Sequence, residues 1–181
     1  MAGLKKREKR MFRKFDLQAD PLNYNFVYND TETAELHRKL NNNADVDIND
    51  LRRVSLCKSN RVMSVSDETL SKLQKLTATK SISVIDDLSR DVIECLVSCD
   101  GIGYPMASAI LKFLRPEVFP IIDVRAYRAL TGTKPYYGTY TYEKYCDYTL
   151  ELQAIAKELN RPLLEIDEQL YCFDEKHNGA I

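Results

Sequence analysis

Residues 95–114 read CLVSCDGIGYPMASAILKFL, two apolar-striped segments joined by a turn that holds two of the chain's six glycines. Apolar positions at three- and four-residue spacing on both sides of a Gly-x-Gly turn require two helices packed across a tight connection. Gly101 and Gly103 supply backbone freedom and close approach that a side chain would block. Pro105 suits the first turn of the second helix, where its missing N–H costs nothing. Beyond that helix, RPEVFPII carries two prolines that discourage further helix. The segment is therefore expected to run back in extended form and deliver Asp123 near the glycine turn, as the opening residue of the helix VRAYRALTG.

The remainder of the chain repeats the helical period. DTETAELHRKLN opens at Asp30 or Thr31, INDLRRVSLCKS follows a polar NNNADVD loop, and SVSDETLSKLQKL places Ser64 and Asp67 at capping-box spacing. Leu88, Val92, Cys95 and Cys99 form one stripe, and Ala107, Ile110, Leu111 and Leu114 a second. Tyr148, Leu152, Ile155 and Leu159 form a third, and a last helix centres on Ile166, Leu170 and Phe173. Sustained strand alternation is absent. The expectation is an all-α, two-lobed fold: a basic N-terminal tail over 1–20, then a single domain over 21–181 with the helical hairpin at about 88–114.

Composition narrows the function classes. No apolar run approaches the ~20 residues that span a bilayer, and MAGLKKREKRMFRKF lacks the apolar core of a secretion signal, so a cytoplasmic protein without a membrane partner is expected. Five scattered cysteines without a CxxC pair, and only two histidines, suggest neither a zinc site nor a disulfide framework; the thiols are expected to be reduced and mostly buried. The first fourteen residues carry seven Lys or Arg and one Glu, which leaves −7 on the remaining 167 against the chain's −1. Such a run is a solvated tail or a nucleic-acid arm on an acidic body.

Two physical readings meet at the glycine turn. It is a plain connection, or its backbone N–H groups and the following helix N-terminus hold a phosphate oxygen without regard to base sequence. Asp123 likewise is a simple N-cap or a chemical group, its anion favoured by the helix N-terminus.

CDGIGYPMASAIL followed by VFPIID resembles the helix-hairpin-helix DNA glycosylases. In that family the hairpin grips backbone phosphate, and an Asp some twenty positions after its second glycine acts on the flipped nucleotide; here Asp123 follows Gly103 by twenty. LCKSN, residues 56–60, resembles the ICSSN segment of 8-oxoguanine DNA glycosylases, whose Asn contacts the base left unpaired. The resemblance covers roughly a third of the chain and implies double-stranded DNA as partner and a monomeric protein. It implies DNA contacts at Gly101, Ile102, Gly103 and Tyr104 of the hairpin, and at Asn60, with Lys58, Arg61 and Arg125 as neighbouring cations. No cofactor is required, although a Na⁺ or K⁺ held by the main-chain carbonyls of Val97, Cys99 and Ile102 is implied.

The departures are informative. The position of the family's Schiff-base lysine reads Met106, and Lys112, six residues later, is expected on a solvated face. The adenine-glycosylase signature and the four-cysteine iron–sulfur loop are missing. What fits both matches and departures is monofunctional base excision, in which an ionised Asp123 stabilises the sugar cation formed as the N-glycosidic bond of a flipped base breaks, or orients the attacking water. Two other classes stay open: a noncatalytic helix-hairpin-helix DNA-binding protein in which Asp123 is only a cap, and an all-helical interaction module. Of the cations after Asp123, one of Arg125 and Arg128 is expected at phosphate and the other in water. The tyrosines of KPYYGTYTYEKY are expected to pack amphipathically with their hydroxyls in water, or to offer a stacking face.

Overall fold

A computed structural model of the chain describes residues 12–27, 31–41, 45–59 and 65–181, apart from the side chains of residues 31, 32, 59 and 137. The regular secondary structure of the described residues is helical throughout, with no strand. The helices are α1 (Thr31–Asn41), α2 (Ile48–Ser59), α3 (Asp67–Ala78), α4 (Asp87–Ser98), α5 (Tyr104–Leu114), α6 (Val124–Thr131), α7 (Tyr142–Leu159) and α8 (Leu163–Asn178). None is long and apolar enough to cross a membrane.

Helix α5 is the hub. It packs against α1, α2 and α4, while α3 lies on α4, α7 touches α4 and α8, and α6 docks on α8. Every residue from Met106 to Leu114 is buried, so α5 is enclosed on all sides rather than striped. Its lone charge, Lys112, is therefore inside the protein. On α4 the buried face is Ser89, Val92, Ile93 and Leu96, one position off the stripe expected through Cys95 and Cys99, which are only half-buried at its flank. Ser89 takes an inner position because its hydroxyl donates to the carbonyl of Ser83 at 2.6 Å. The cap of α3 is Ser66, whose Oγ accepts the Thr69 N–H at 3.1 Å; the expected cap at Ser64 lies outside the described residues, as does Asp30.

The cysteines correct the expectation of mostly buried thiols. All five are free, yet only Cys146 is buried, and Cys57 is exposed. The tyrosine cluster differs as well. Tyr136 is 77% exposed, but Tyr142 and Tyr145 are buried and turn their hydroxyls inward, donating to the carbonyls of Val84 (2.8 Å) and Pro120 (3.0 Å). Buried phenols need an acceptor, and backbone carbonyls outside the helices supply it.

Packing begins within the stretch expected as a tail. The Phe15 N–H donates to the Ala129 carbonyl at 2.6 Å, and its ring meets Phe173 edge-on at 5.8 Å between centroids. Tyr24 exchanges two bonds with the Gln169 side chain, at 2.7 and 2.8 Å, so residues 12–27, interrupted by a turn at 17–19, run as a strap along α8. Helices α6 and α8 are locked by Asp174, fully buried, whose carboxylate accepts from Arg128 Nε at 2.7 Å and Nη2 at 2.6 Å, and from Asn178 at 2.7 Å.

Candidate active site

A short turn at 99–103 joins α4 to α5, with a division of labour between its glycines. Gly101 sits at φ +82°, a left-handed conformation that glycine adopts without strain. Gly103 is the N-cap of α5 at φ −102°, where any residue fits, and a methyl there would meet only the Pro105 ring at an ordinary 3.8 Å. Backbone strain at Gly103 is therefore not part of the turn. Both glycines are exposed, Ile102 is buried as the plug beneath them, and Tyr104 is half-buried.

The turn's surroundings are acidic. Asp100 in the turn and Asp91 and Glu94 on α4 before it are exposed, and the cations along α4 are engaged: Lys72 with Asp91 (2.9 Å), Glu68 (3.0 Å) and the Cys95 sulfur (3.1 Å), and Arg90 with Glu94 at 2.8 Å. The Ile102 N–H donates to the Cys99 carbonyl at 3.1 Å, so that donor closes the turn. The same bond occupies one lone pair of a carbonyl expected at the monovalent ion. Among the described residues no cluster of three or more His, Cys, Asp or Glu could hold a metal ion.

From α5 the chain turns at 116–118 and runs back as 119–123, the path expected from its prolines. The Ile122 N–H donates to Ser108 Oγ of α5 at 3.1 Å, which fixes the return beside the first half of that helix. Asp123 then caps α6, its Oδ1 accepting the Ala126 N–H at 2.8 Å.

Asp123 also stands on the wall of a pocket of about 600 Å³. Its walls come from α1 (Thr33), α2 (Val54, Cys57, Lys58), α5 (Ala109, Lys112, Phe113), the return segment, α8 from Asp167 to Glu175, and the end of the N-terminal strap. The volume falls within the range of small-molecule sites. Enclosure by these walls pushes the Asp123 carboxyl above its ordinary value, against the opposing influence of Lys58 and the Ala126 N–H. The helix N-terminus was expected to favour the anion; burial outweighs it, because desolvation acts on the whole carboxylate, and Lys58 with the N–H groups of Ala126 and Arg125 compensates only part.

The residue with no assigned role in the sequence reading is Lys112. Expected on a solvated face, it is fully buried and lines the pocket, while Met106 is packed in the core and does not. The Lys112 ammonium donates to the Leu164 carbonyl (2.8 Å), Asp167 Oδ1 (2.8 Å) and Glu168 Oε1 (2.9 Å). Three donors meet three acceptors. Burial alone would pull its pKa down, but the two carboxylates outweigh that and hold it above the ordinary lysine value. Asp167 gives its other oxygen to the Ile121 N–H at 2.8 Å, tying the charge cluster to the segment that carries Asp123. A single charge on an otherwise apolar helix, YPMASAILKFL, was the available signal for this cluster.

Of the expected DNA contacts, Lys58 is exposed at the pocket rim, while Asn60 and Arg61 lie outside the described residues. Arg125 does not stand free: its Nη1 donates to Gly179 O at 2.9 Å and lies 3.3 Å from Asp174, with the guanidinium over the Tyr171 ring. Arg128, expected at phosphate or in water, is buried on Asp174. Both cations face the C-terminal end of α8 because the buried Asp174 demands compensating charge.

Compared with models of known protein families, with curated proteins and with solved structures, the chain matches none.

Proposed function

We propose that this protein is a monofunctional DNA base-excision glycosylase, which admits a flipped damaged, modified or mispaired base to the pocket and hydrolyses its N-glycosidic bond with Asp123. The observation that carries the reading is the placement of Asp123, on the wall of a pocket roomy enough to admit a base and at the end of a segment that returns along α5 toward an exposed glycine turn. A carboxylate in a partly desolvated site interacts more strongly with a developing sugar cation than one in water, and its elevated pKa suits it to take a proton from an attacking water. Lys112 supports the monofunctional form of the reading. Its ammonium is protonated and has all three donors occupied, so it has no lone pair with which to attack a sugar carbon. The two-lobed division of the fold, double-stranded DNA as partner, a monomeric state and a cytoplasmic location belong to the same reading.

The test is excision of single lesions from duplex oligonucleotides. The wild-type chain leaves an intact abasic site that breaks only after alkali, and borohydride traps no adduct. Asp123→Asn binds the same duplex and releases base more slowly by several orders of magnitude. Equal excision by the two proteins refutes the assignment of Asp123.

A second reading is favoured by two observations. The Asp123–Ala126 cap bond is complete in itself, and Met106 lies buried at the position of the family's lysine, as in a noncatalytic hairpin protein that binds duplex DNA. Duplex binding without base release from any lesion selects that reading.

A further inference from the structure

The segment that delivers Asp123 is extended, and among the described residues there is no strand to pair with it. Its four consecutive backbone groups nevertheless all have partners, and each partner is a side chain. The Pro120 carbonyl accepts from Tyr145 Oη at 3.0 Å, the Ile121 N–H donates to Asp167 Oδ2 at 2.8 Å, the Ile121 carbonyl accepts from Tyr148 Oη at 2.9 Å, and the Ile122 N–H donates to Ser108 Oγ at 3.1 Å. All four side chains are buried. They come from three helices, α5, α7 and α8. Burial satisfied by any apolar contact would not require this. Leu or Phe at these positions would fill the volume but leave backbone polar groups unpaired, at about 1–3 kcal/mol each.

We propose that Ser108, Tyr145, Tyr148 and Asp167 form a positioning clamp, which replaces the hydrogen bonds of a missing neighbouring strand and holds residues 120–122, and hence the Asp123 carboxylate, in fixed register against the pocket. This rests on the glycosylase reading for its catalytic consequence and on geometry alone for its existence. The clamp residues touch no substrate. They act through the backbone, which a flexible carboxylate on an unsupported loop could not match.

Two features support a positioning role. Ser108 is bonded on both sides, accepting from Ile122 and donating to the Pro105 carbonyl at 3.1 Å, so the return segment is registered directly to the first turn of α5, next to the hairpin. Asp167 is bonded on both sides as well, by Ile121 and by Lys112, which places the α8 charge cluster in mechanical and electrostatic contact with the segment. Burial raises the phenol pKa of Tyr145 and Tyr148 well above the ordinary value, so both remain protonated donors.

The variants Tyr148→Phe and Ser108→Ala each delete one clamp bond with little change of volume, and Asp167→Asn keeps an acceptor for Ile121 while removing a charge. The full chain is compared by thermal melting, duplex affinity, single-turnover excision, and NMR titration of the Asp123 carboxyl carbon. The charged groups around that carboxyl are Lys58 from α2, Lys112 from α5, and Asp167, Glu168 and Glu175 from α8. For Tyr148→Phe and Ser108→Ala we expect duplex affinity within twofold of wild type, excision slowed by about ten- to a hundredfold at temperatures where both variants are folded, and a shifted or broadened Asp123 resonance. For Asp167→Asn the Asp123 titration moves to lower pH, because the charge of Asp167 opposes ionisation of Asp123. A lower melting temperature with unchanged excision and an unchanged Asp123 resonance overturns the clamp. Absence of excision by wild type counts against the glycosylase reading instead, and the Asp123 resonance still decides the clamp.

Discussion

Lys112 and Asp167 meet at 2.8 Å where neither side chain is more than 3% exposed. A pair this deep contributes little over a hydrophobic equivalent while both partners are present, yet loss of one leaves a buried charge without compensation.

Lys112→Met is therefore expected to cost about 3–5 kcal/mol at neutral pH. Burial already raises the pKa of Asp167, and Lys112 is the main influence against that rise. Without the lysine, Asp167 rises further, so its folded form holds a proton more tightly than the unfolded chain does. The destabilisation should shrink as pH falls through the folded Asp167 pKa. Chemical denaturation at several pH values checks this, and a loss independent of pH would mean that packing rather than charge sets the cost.

Asp123→Asn is expected to be at least as stable as wild type at neutral pH, since Asn caps nearly as well as Asp. The sign follows from the raised carboxyl pKa. The folded state binds the proton more tightly than the unfolded state, so the ionised side chain costs stability above the folded pKa, and that cost vanishes below the unfolded value of about 3.9. The melting temperature of Asp123→Asn should exceed wild type at pH 7, with the difference closing in acid. Asp123→Ala, which also loses the cap bond, should fall about 1 kcal/mol below Asp123→Asn throughout.

Gly101→Ala and Gly103→Ala should separate strain from contact. At φ +82° an alanine costs about 1–2 kcal/mol, whereas at Gly103 the conformation is ordinary and the methyl is accommodated. Gly101→Ala lowers the melting temperature. Gly103→Ala leaves it in place, so any loss of duplex affinity in that variant reports a phosphate held at the turn. Unchanged affinity in Gly103→Ala would remove that residue from the DNA contacts.

Arg125→Ala should destabilise the α6–α8 junction, because Asp174 and the Gly179 carbonyl lose a partner. The slope of log affinity against log salt should not change. A cation bound to phosphate contributes about 0.9 to that slope, so a fall of that size would place Arg125 on DNA after all.

The helices themselves were legible in the sequence, because their apolar spacing and the Gly and Pro punctuation are local signals that each segment carries alone. The turn between α4 and α5, the return of the chain beside α5 and the capping position of Asp123 followed from residues within thirty positions of one another. Other features depended on neighbours that no local pattern names. Lys112 looked solvated because charge usually is, until α8 brought Asp167, Glu168 and the Leu164 carbonyl to it from more than fifty positions away. Arg125 and Arg128 looked available until Asp174, buried on the facing helix, claimed both. The direction of the Asp123 shift likewise turned on enclosure by distant walls, since desolvation belongs to the assembled pocket and the capping N–H to the chain next door. The sequence by itself determined the elements, their order and the residue at the head of α6. Tertiary packing alone decided which charges are buried together and which faces meet at the pocket, because Coulomb interaction and desolvation depend on distance in space and not on separation along the chain.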